Sequence, residues 1–149
     1  MKMQGTHSLA ARPEDVYELL MRPDILTDCI PGCQELVPTG EGIYAMKMKV
    51  VLAALSGDFT GKVAIEDPNP PHSYRMKVEG KGRLGFMNGS GELQFTEPTP
   101  GHTLVSFQGD VQIGGTFAAV GQRLVDTTAR MMIRRFFDKL ATHFASPTP

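Results

Sequence analysis

The chain has 149 residues and a mass of 16.2 kDa, is 41% hydrophobic and 21% charged, and balances 15 Lys plus Arg against 16 Asp plus Glu. That is one ordinary domain, burying roughly 70% of its unfolded surface, and it excludes both a disordered chain and a strongly basic nucleic-acid binder. The longest apolar run, Val50 to Leu55, falls far short of the roughly 20 residues that span a bilayer, and Met1-Lys2-Met3-Gln4 leads into no apolar export segment.

From Met3 to Leu9 the side chains alternate as in a strand. Pro13-Glu14-Asp15 then opens a stretch in which Val16, Leu19 and Leu20 recur at helical spacing, and a proline at a first turn with acids beside it predicts a short helix. Arg22-Pro23 ends it, and a second short helix is expected from Asp24 to Ile30. Only two cysteines occur, Cys29 and Cys33, and the Pro31-Gly32 turn between them opens no disulfide framework, as expected of a protein in a reducing cytoplasm.

From Gln34 onward the period changes to two. Tyr44, Met46, Met48, Val50 and Leu52 share one face against Lys47 and Lys49, and the next strand sets Leu55, Phe59, Val63 and Ile65 against Ser56, Asp58, Thr60, Lys62 and Glu66. Asp67-Pro68-Asn69-Pro70-Pro71 forces a turn, after which Tyr74, Met76 and Val78 alternate with charged neighbours. Beyond the glycine-rich stretch 80 to 91, Leu93 and Phe95 face inward on one strand, and Val105, Phe107, Val111 and Ile113 on another. Five consecutive strands with one dry face predict an antiparallel sheet that needs a cover. Thr116 to about Ala145 supplies it, since Val125, Ala129, Met132, Phe136 and Leu140 recur at three and four. A single helix of about 28 residues would run roughly 40 Å and cross the whole sheet.

This order resembles the helix-grip arrangement of the START-like (SRPBCC) superfamily, an α+β fold whose curved antiparallel sheet wraps a long C-terminal helix, with two short helices after the first strand. The segment from Pro13 through Val16, Tyr17, Leu19, Leu20 and Pro23 to Leu26 is similar to the opening of that superfamily. Cys29-Ile30-Pro31-Gly32-Cys33, Phe59-x-Gly61-Lys62-Val63, Gly80-Lys81-Gly82 and the Gly115 to Leu124-Val125-Asp126 segment resemble the CoxG family of carbon monoxide dehydrogenase subunits. The likeness runs over almost the whole chain, with residues 1–146 as the domain and 147–149 as a tail. It implies an apolar cavity between sheet and helix, no cofactor of its own, and a partnership with a molybdenum hydroxylase and its quinone acceptor at the inner face of the membrane. Some relatives continue into a tail suited to membrane attachment, whereas this chain stops at Pro149, so direct anchoring is not expected.

Gly80-Lys81-Gly82-Arg83-Leu84-Gly85 spells the dinucleotide fingerprint, but that motif must open a helix, and here Phe86-Met87-Asn88-Gly89 leads into a strand. A hairpin or mobile flap at a cavity mouth is the expectation, with Phe86 and Met87 offering apolar contact at its tip. Cys29 and Cys33 lack the two-residue spacing of zinc or redox pairs, and His7, His72, His102 and His143 are scattered, so no metal site is expected. The cysteines read as packed structural thiols, with a reactive thiol as the other reading. Ser90 lacks the glycine spacing of a nucleophile elbow, and no carboxylate falls on the dry faces. The expectation is therefore a binding protein and not an enzyme.

The candidate cavity lining is Met46, Met48, Phe59, Met76, Phe107, Phe117, Leu124 and Met131, residues that serve equally well as plain core. The candidate gate comprises Cys29, Pro31, Gly32 and Cys33 on one side and Gly80, Gly82, Phe86 and Met87 on the other. Arg123, Arg130, Arg134, Arg135 and Lys139 against Asp126 and Asp138 leave the long helix at +3, either a solvated face with pairs four apart or a docking strip for an acidic partner or anionic headgroups. Three functions follow: an accessory protein that carries a lipid or quinone for the hydroxylase, an adaptor for the hydroxylase with no ligand, or a cyclase or hydrolase on the same scaffold.

Overall fold

The computed structural model describes residues 1–50, 56–83 and 85–144. Leu52, Leu55 and Leu84, the far end of the long helix at Ala145, and the tail 147–149 lie outside the described residues.

The chain starts with β1 (Lys2–Leu9), α1 (Pro13–Leu20) and α2 (Pro23–Cys29). Both helices carry proline in their first turn and acids beside it, where the free backbone N–H groups and the helix dipole favour them. Then β2 (Cys33–Gly40), β3 (Ile43–Val50), β4 (Gly57–Asn69), β5 (Ser73–Gly82), β6 (Gly85–Thr99) and β7 (His102–Gly114) run as an antiparallel meander. The seven-stranded sheet has the order β1-β7-β6-β5-β4-β3-β2, so the first strand is joined to the last.

Two expectations are corrected. A further strand, β2, forms the edge, although Leu36 is its one buried residue and Val37 is 42% exposed. The single long helix is two: α3 (Thr116–Val120) and α4 (Gln122–Thr142) are separated by Gly121, whose φ of +105° a side-chain-bearing residue rarely adopts and which no α-helix contains.

The core sits where α1, α2 and the C-terminal half of α4 press on one end of the inner sheet face. Leu9, Val16, Leu20, Val105 and Leu140 are almost wholly buried there, and Tyr17, Tyr74 and Phe95 meet edge-on or tilted at 5.4–5.8 Å. Polar groups at this end are matched: Tyr17 Oη donates to the Ser73 carbonyl at 3.1 Å, and Thr103 Oγ1 to the Ala11 carbonyl at 2.7 Å. The outer face is wet, with Lys47–Glu35, Arg75–Glu92 and Lys77–Glu66 ion pairs across neighbouring strands.

Candidate functional site

The register decides which residues share the inner face. Tyr74 pairs with Leu93, Met76 with Gly91, Val78 with Gly89, and Gly80 with Met87 on one side and Gly61 on the other. Across β6 and β7, Gly91 faces Gly109 and Met87 faces Ile113, and Gly109 in turn faces Met3 on β1. Glycines on four adjacent strands, β4 to β7, therefore lie side by side in the middle of the inner face. Their physical role differs from one to the next.

At Gly91 and Gly109 an added Cβ would stand 2.8 Å from the Gln108 carbonyl oxygen and 2.6 Å from that of Ser90, and at Gly61 it would overlap the Glu79 carbonyl. Such contacts arise where a sheet bends sharply toward its inner side, so these glycines permit the curvature. Gly80 is different, because a Cβ there meets nothing within 4 Å, and at Gly89 the nearest atoms are 3.8 Å away. These two form an open floor.

Around that floor the apolar side chains keep accessible surface although they lie on the same face as the core. Met48, Met76, Val78 and Phe107 are half-buried and pack against the main core cluster. On the far side, Phe59 of β4 stacks on Phe117 of α3 at 5.5 Å and 20°. Phe117 and Val125 are buried yet, among the described residues, stand outside the main cluster.

The candidate lining residues thus divide. Met46, 7% exposed, lies on the Gly61–Gly80 rung beside Leu36, Met48 and Phe59 lie on the neighbouring rung with Phe117 stacked on Phe59, and Met76 and Phe107 lie one and two rungs beyond Gly89. Leu124 and Met131, about two turns apart, occupy a flank of α4 outside its buried stripe of Val125, Phe137 and Leu140; Leu124 is 40% exposed.

The candidate gate residues fall on regular elements. Gly80 and Gly82 are residues of β5, paired with Met87 and Gly85 of β6, so the glycine-rich stretch is the end of a regular hairpin and opens no helix. Neighbouring strand residues point to opposite faces, which sends Met87 inward and Phe86 outward over Gly114. Phe86 is 45% exposed and does not face the floor. Pro31 and Gly32 form a fixed turn: Gly32 has φ +77°, its carbonyl accepts from Lys49 N–H at 2.9 Å, and a Cβ there would overlap the Lys49 carbonyl. Cys33 donates its thiol to the Glu35 carbonyl at 3.6 Å, and burial pushes its pKa up. Cys29 is 2% exposed, and burial with the Asp28 charge pushes it up to about 11. Both are free thiols of low nucleophilicity near neutral pH.

From β1 to β7 no Asp, Glu, Lys or Arg falls on the paired inner positions among the described residues. The one titratable imidazole there, His7, is sandwiched against Phe137 at 4.2 Å and Phe107 at 5.9 Å, and desolvation lowers its pKa below 6.5. On α4, Arg130 pairs with Asp126 at 2.9 Å as the spacing predicts. Arg134 and Asp138 form no such pair, and the last turn of α4 instead reaches Asp28 of α2 through Lys139 at 3.9 Å and His143 at 2.9 Å. Sequence reasoning misses the glycine floor and this inter-helix contact.

The family model for CoxG, a carbon monoxide dehydrogenase subunit, matches residues 5–145. The chain belongs to the CoxG family. A conserved protein from Geobacillus kaustophilus superposes with a TM-score of 0.94 at 31% identity, over 96% of this chain and 94% of that one. A START superfamily protein from Mycobacterium smegmatis gives 0.74 at 11% identity over 95% of both chains, and a protein from Chromobacterium violaceum 0.70 at 15% over 95% of both. The latter two establish a START-like helix-grip fold. Curated proteins provide no match in sequence. Among the described residues of this CoxG family member, no helix is long and apolar enough to cross a membrane.

Proposed function

We propose that this CoxG family protein is a binding protein without catalytic activity that holds an elongated apolar molecule, a lipid or a quinone, between the inner sheet face and the helices α3 and α4. One observation carries the reading: among the described residues, the open floor at Gly80 and Gly89 lies on the same inner face as Met48, Phe59, Met76 and Val78, apolar side chains that keep accessible surface. An apolar ligand laid on that floor would gain about 25 cal/mol for each Å² removed from water, and the thioethers of Met48, Met76 and Met87 can adapt to its shape. Among the described residues, the inner face carries no Asp, Glu, Lys or Arg at its paired positions, which suits an apolar ligand.

The family assignment extends the reading to a partner. The protein would serve a carbon monoxide dehydrogenase-type molybdenum hydroxylase in the cytoplasm, in peripheral contact with the membrane that holds its acceptor. The test is organic extraction and mass spectrometry of the protein purified from its own host, with Gly80→Leu as the control. A lipid or quinone near stoichiometric amounts in the wild type and depleted in the variant supports the carrier. Empty protein that still co-purifies with the hydroxylase supports an adaptor instead.

A further inference from the structure

Away from the glycine floor, the C-terminal ends of two helices converge. Asp28 and Cys29 close α2, and His143 follows directly on Thr142, the last residue of α4. Although 115 positions separate Asp28 from His143, the His143 Nε2 to Asp28 Oδ2 distance is 2.9 Å. One ligand atom from each of Asp28, Cys29 and His143 lies within 4.8 Å of the other two.

From this arrangement we infer a divalent-cation site, built from the Cys29 thiolate, a His143 ring nitrogen and an Asp28 carboxylate oxygen, that fastens α2 to the end of α4. A sulfur, an imidazole nitrogen and a carboxylate oxygen form the donor set of a borderline cation, and three protein ligands with water as the fourth suit tetrahedral Zn²⁺. Bonds of about 2.0–2.3 Å set ligand atoms roughly 3.3–3.8 Å apart, so the longer separations need to close by at most about 1.5 Å while the His143–Asp28 pair, at 2.9 Å, opens by a few tenths of an ångström. The dipoles of both helices present their negative ends here, which favours a cation. Cys29 makes no hydrogen bond among the described residues that a metal would have to displace. Lys139, 3.9 Å from Asp28, is half-exposed on a flexible stem and can swing into solvent when the site fills. Metal binding is here coupled to the seating of the second short helix, because the two halves of the site come from opposite ends of the chain.

The test titrates the full chain with Co²⁺ and then Zn²⁺, in the wild type and in Cys29→Ala, His143→Ala, Cys33→Ala and Lys139→Gln. Expected are one Co²⁺ per chain, a sulfur-to-cobalt charge-transfer band in the near ultraviolet, visible bands of tetrahedral strength, and displacement by Zn²⁺. Cys29→Ala removes the charge-transfer band, His143→Ala weakens binding by about tenfold or more, Cys33→Ala changes neither, and Lys139→Gln tightens binding. Binding without a thiolate band, a band that survives Cys29→Ala but is lost in Cys33→Ala, or no binding at micromolar Zn²⁺ by the folded wild type would each overturn the assignment. Circular dichroism of every variant separates loss of the site from loss of the fold.

Discussion

Filling the floor at Gly80 isolates the proposed ligand site from the stability of the sheet. Gly80 is an inner-face strand residue whose φ lies outside the left-handed region, and a Cβ there has open space around it. Gly80→Leu should therefore keep the fold. Removing glycine's extra freedom from the unfolded chain contributes about 0.4–1 kcal/mol in its favour, and the first side-chain carbon has open space. The same side chain occupies what a ligand would cover. If it displaces about 100 Å² of apolar contact at about 25 cal/mol per Å², binding weakens by about 2.5 kcal/mol, near sixty-fold. Gly61→Ala is the contrasting control, since its methyl would overlap the Glu79 carbonyl and stand 3.3 Å from the Gly80 Cα. It should cost about 1–3 kcal/mol, at roughly 2–4 °C of melting temperature each. The assay is thermal unfolding by circular dichroism, followed by calorimetric titration with a short-chain quinone and with a fatty acid. Destabilisation of Gly80→Leu to the level of Gly61→Ala would show that the open floor does not exist. Unchanged affinity in a well-folded Gly80→Leu would place the ligand elsewhere.

Other substitutions test neighbouring features of the molecule. Phe86→Asp, on the outer face, should leave quinone titration unchanged and cost no more than about 1 kcal/mol in urea unfolding; lost uptake in a folded variant would restore Phe86 to the gate. Leu140→Ala, at a wholly buried position, should cost about 2–5 kcal/mol, whereas Leu124→Ala, 40% exposed, should stay within about 0.5 kcal/mol by the same measurement. His7 has its pKa lowered by burial, so the unfolded chain takes up a proton first as pH falls below 6.5, and the folded state loses stability until its own lower pKa is passed. His7→Gln should flatten that acid-side slope of unfolding free energy against pH; an unaltered slope would assign it to other groups.

Alternation makes the strands β3 to β7 legible because each sets a dry row against a wet one, as Tyr74-Arg75-Met76-Lys77-Val78 does. It fails where the functional face turns to glycine. Gly80, Gly89 and Gly91 carry no hydropathy, so the stretch that floors the candidate site reads as a loop, although residues 80–82 and 85–91 are ladder-paired. β2 receives no face assignment from the sequence because an edge strand with one buried side chain, Leu36, and a Pro38 has no dry row to set against a wet one. The break at Gly121 is hidden because a glycine within good helix formers costs little in a pattern, and only its φ reveals that the helix stops. Phe86 and Met87 stand together in the sequence like the tip of a loop, yet two-residue periodicity sends them to opposite faces once β6 begins at Gly85. No local spacing joins Asp28 and Cys29 to His143, since tertiary packing alone brings them into reach.

The strand order carries a consequence for how the chain is made. Among the described residues, every pairing in the sheet joins strands adjacent in sequence, with the exception of β1, whose partner residues on β7 run from Thr103 to Asp110. The hairpins from β2 to β7 can form as they leave the ribosome. β1 is synthesised first and must wait for roughly 100 further residues, about 5–20 s at about 5–20 residues per second, before its only partner exists. During that interval Met3 and Leu9, both buried in the native sheet, are exposed on an unpaired strand. Closing so long a loop is also the slow step expected of refolding in vitro. β1 is therefore the strand whose pairing closes the sheet last.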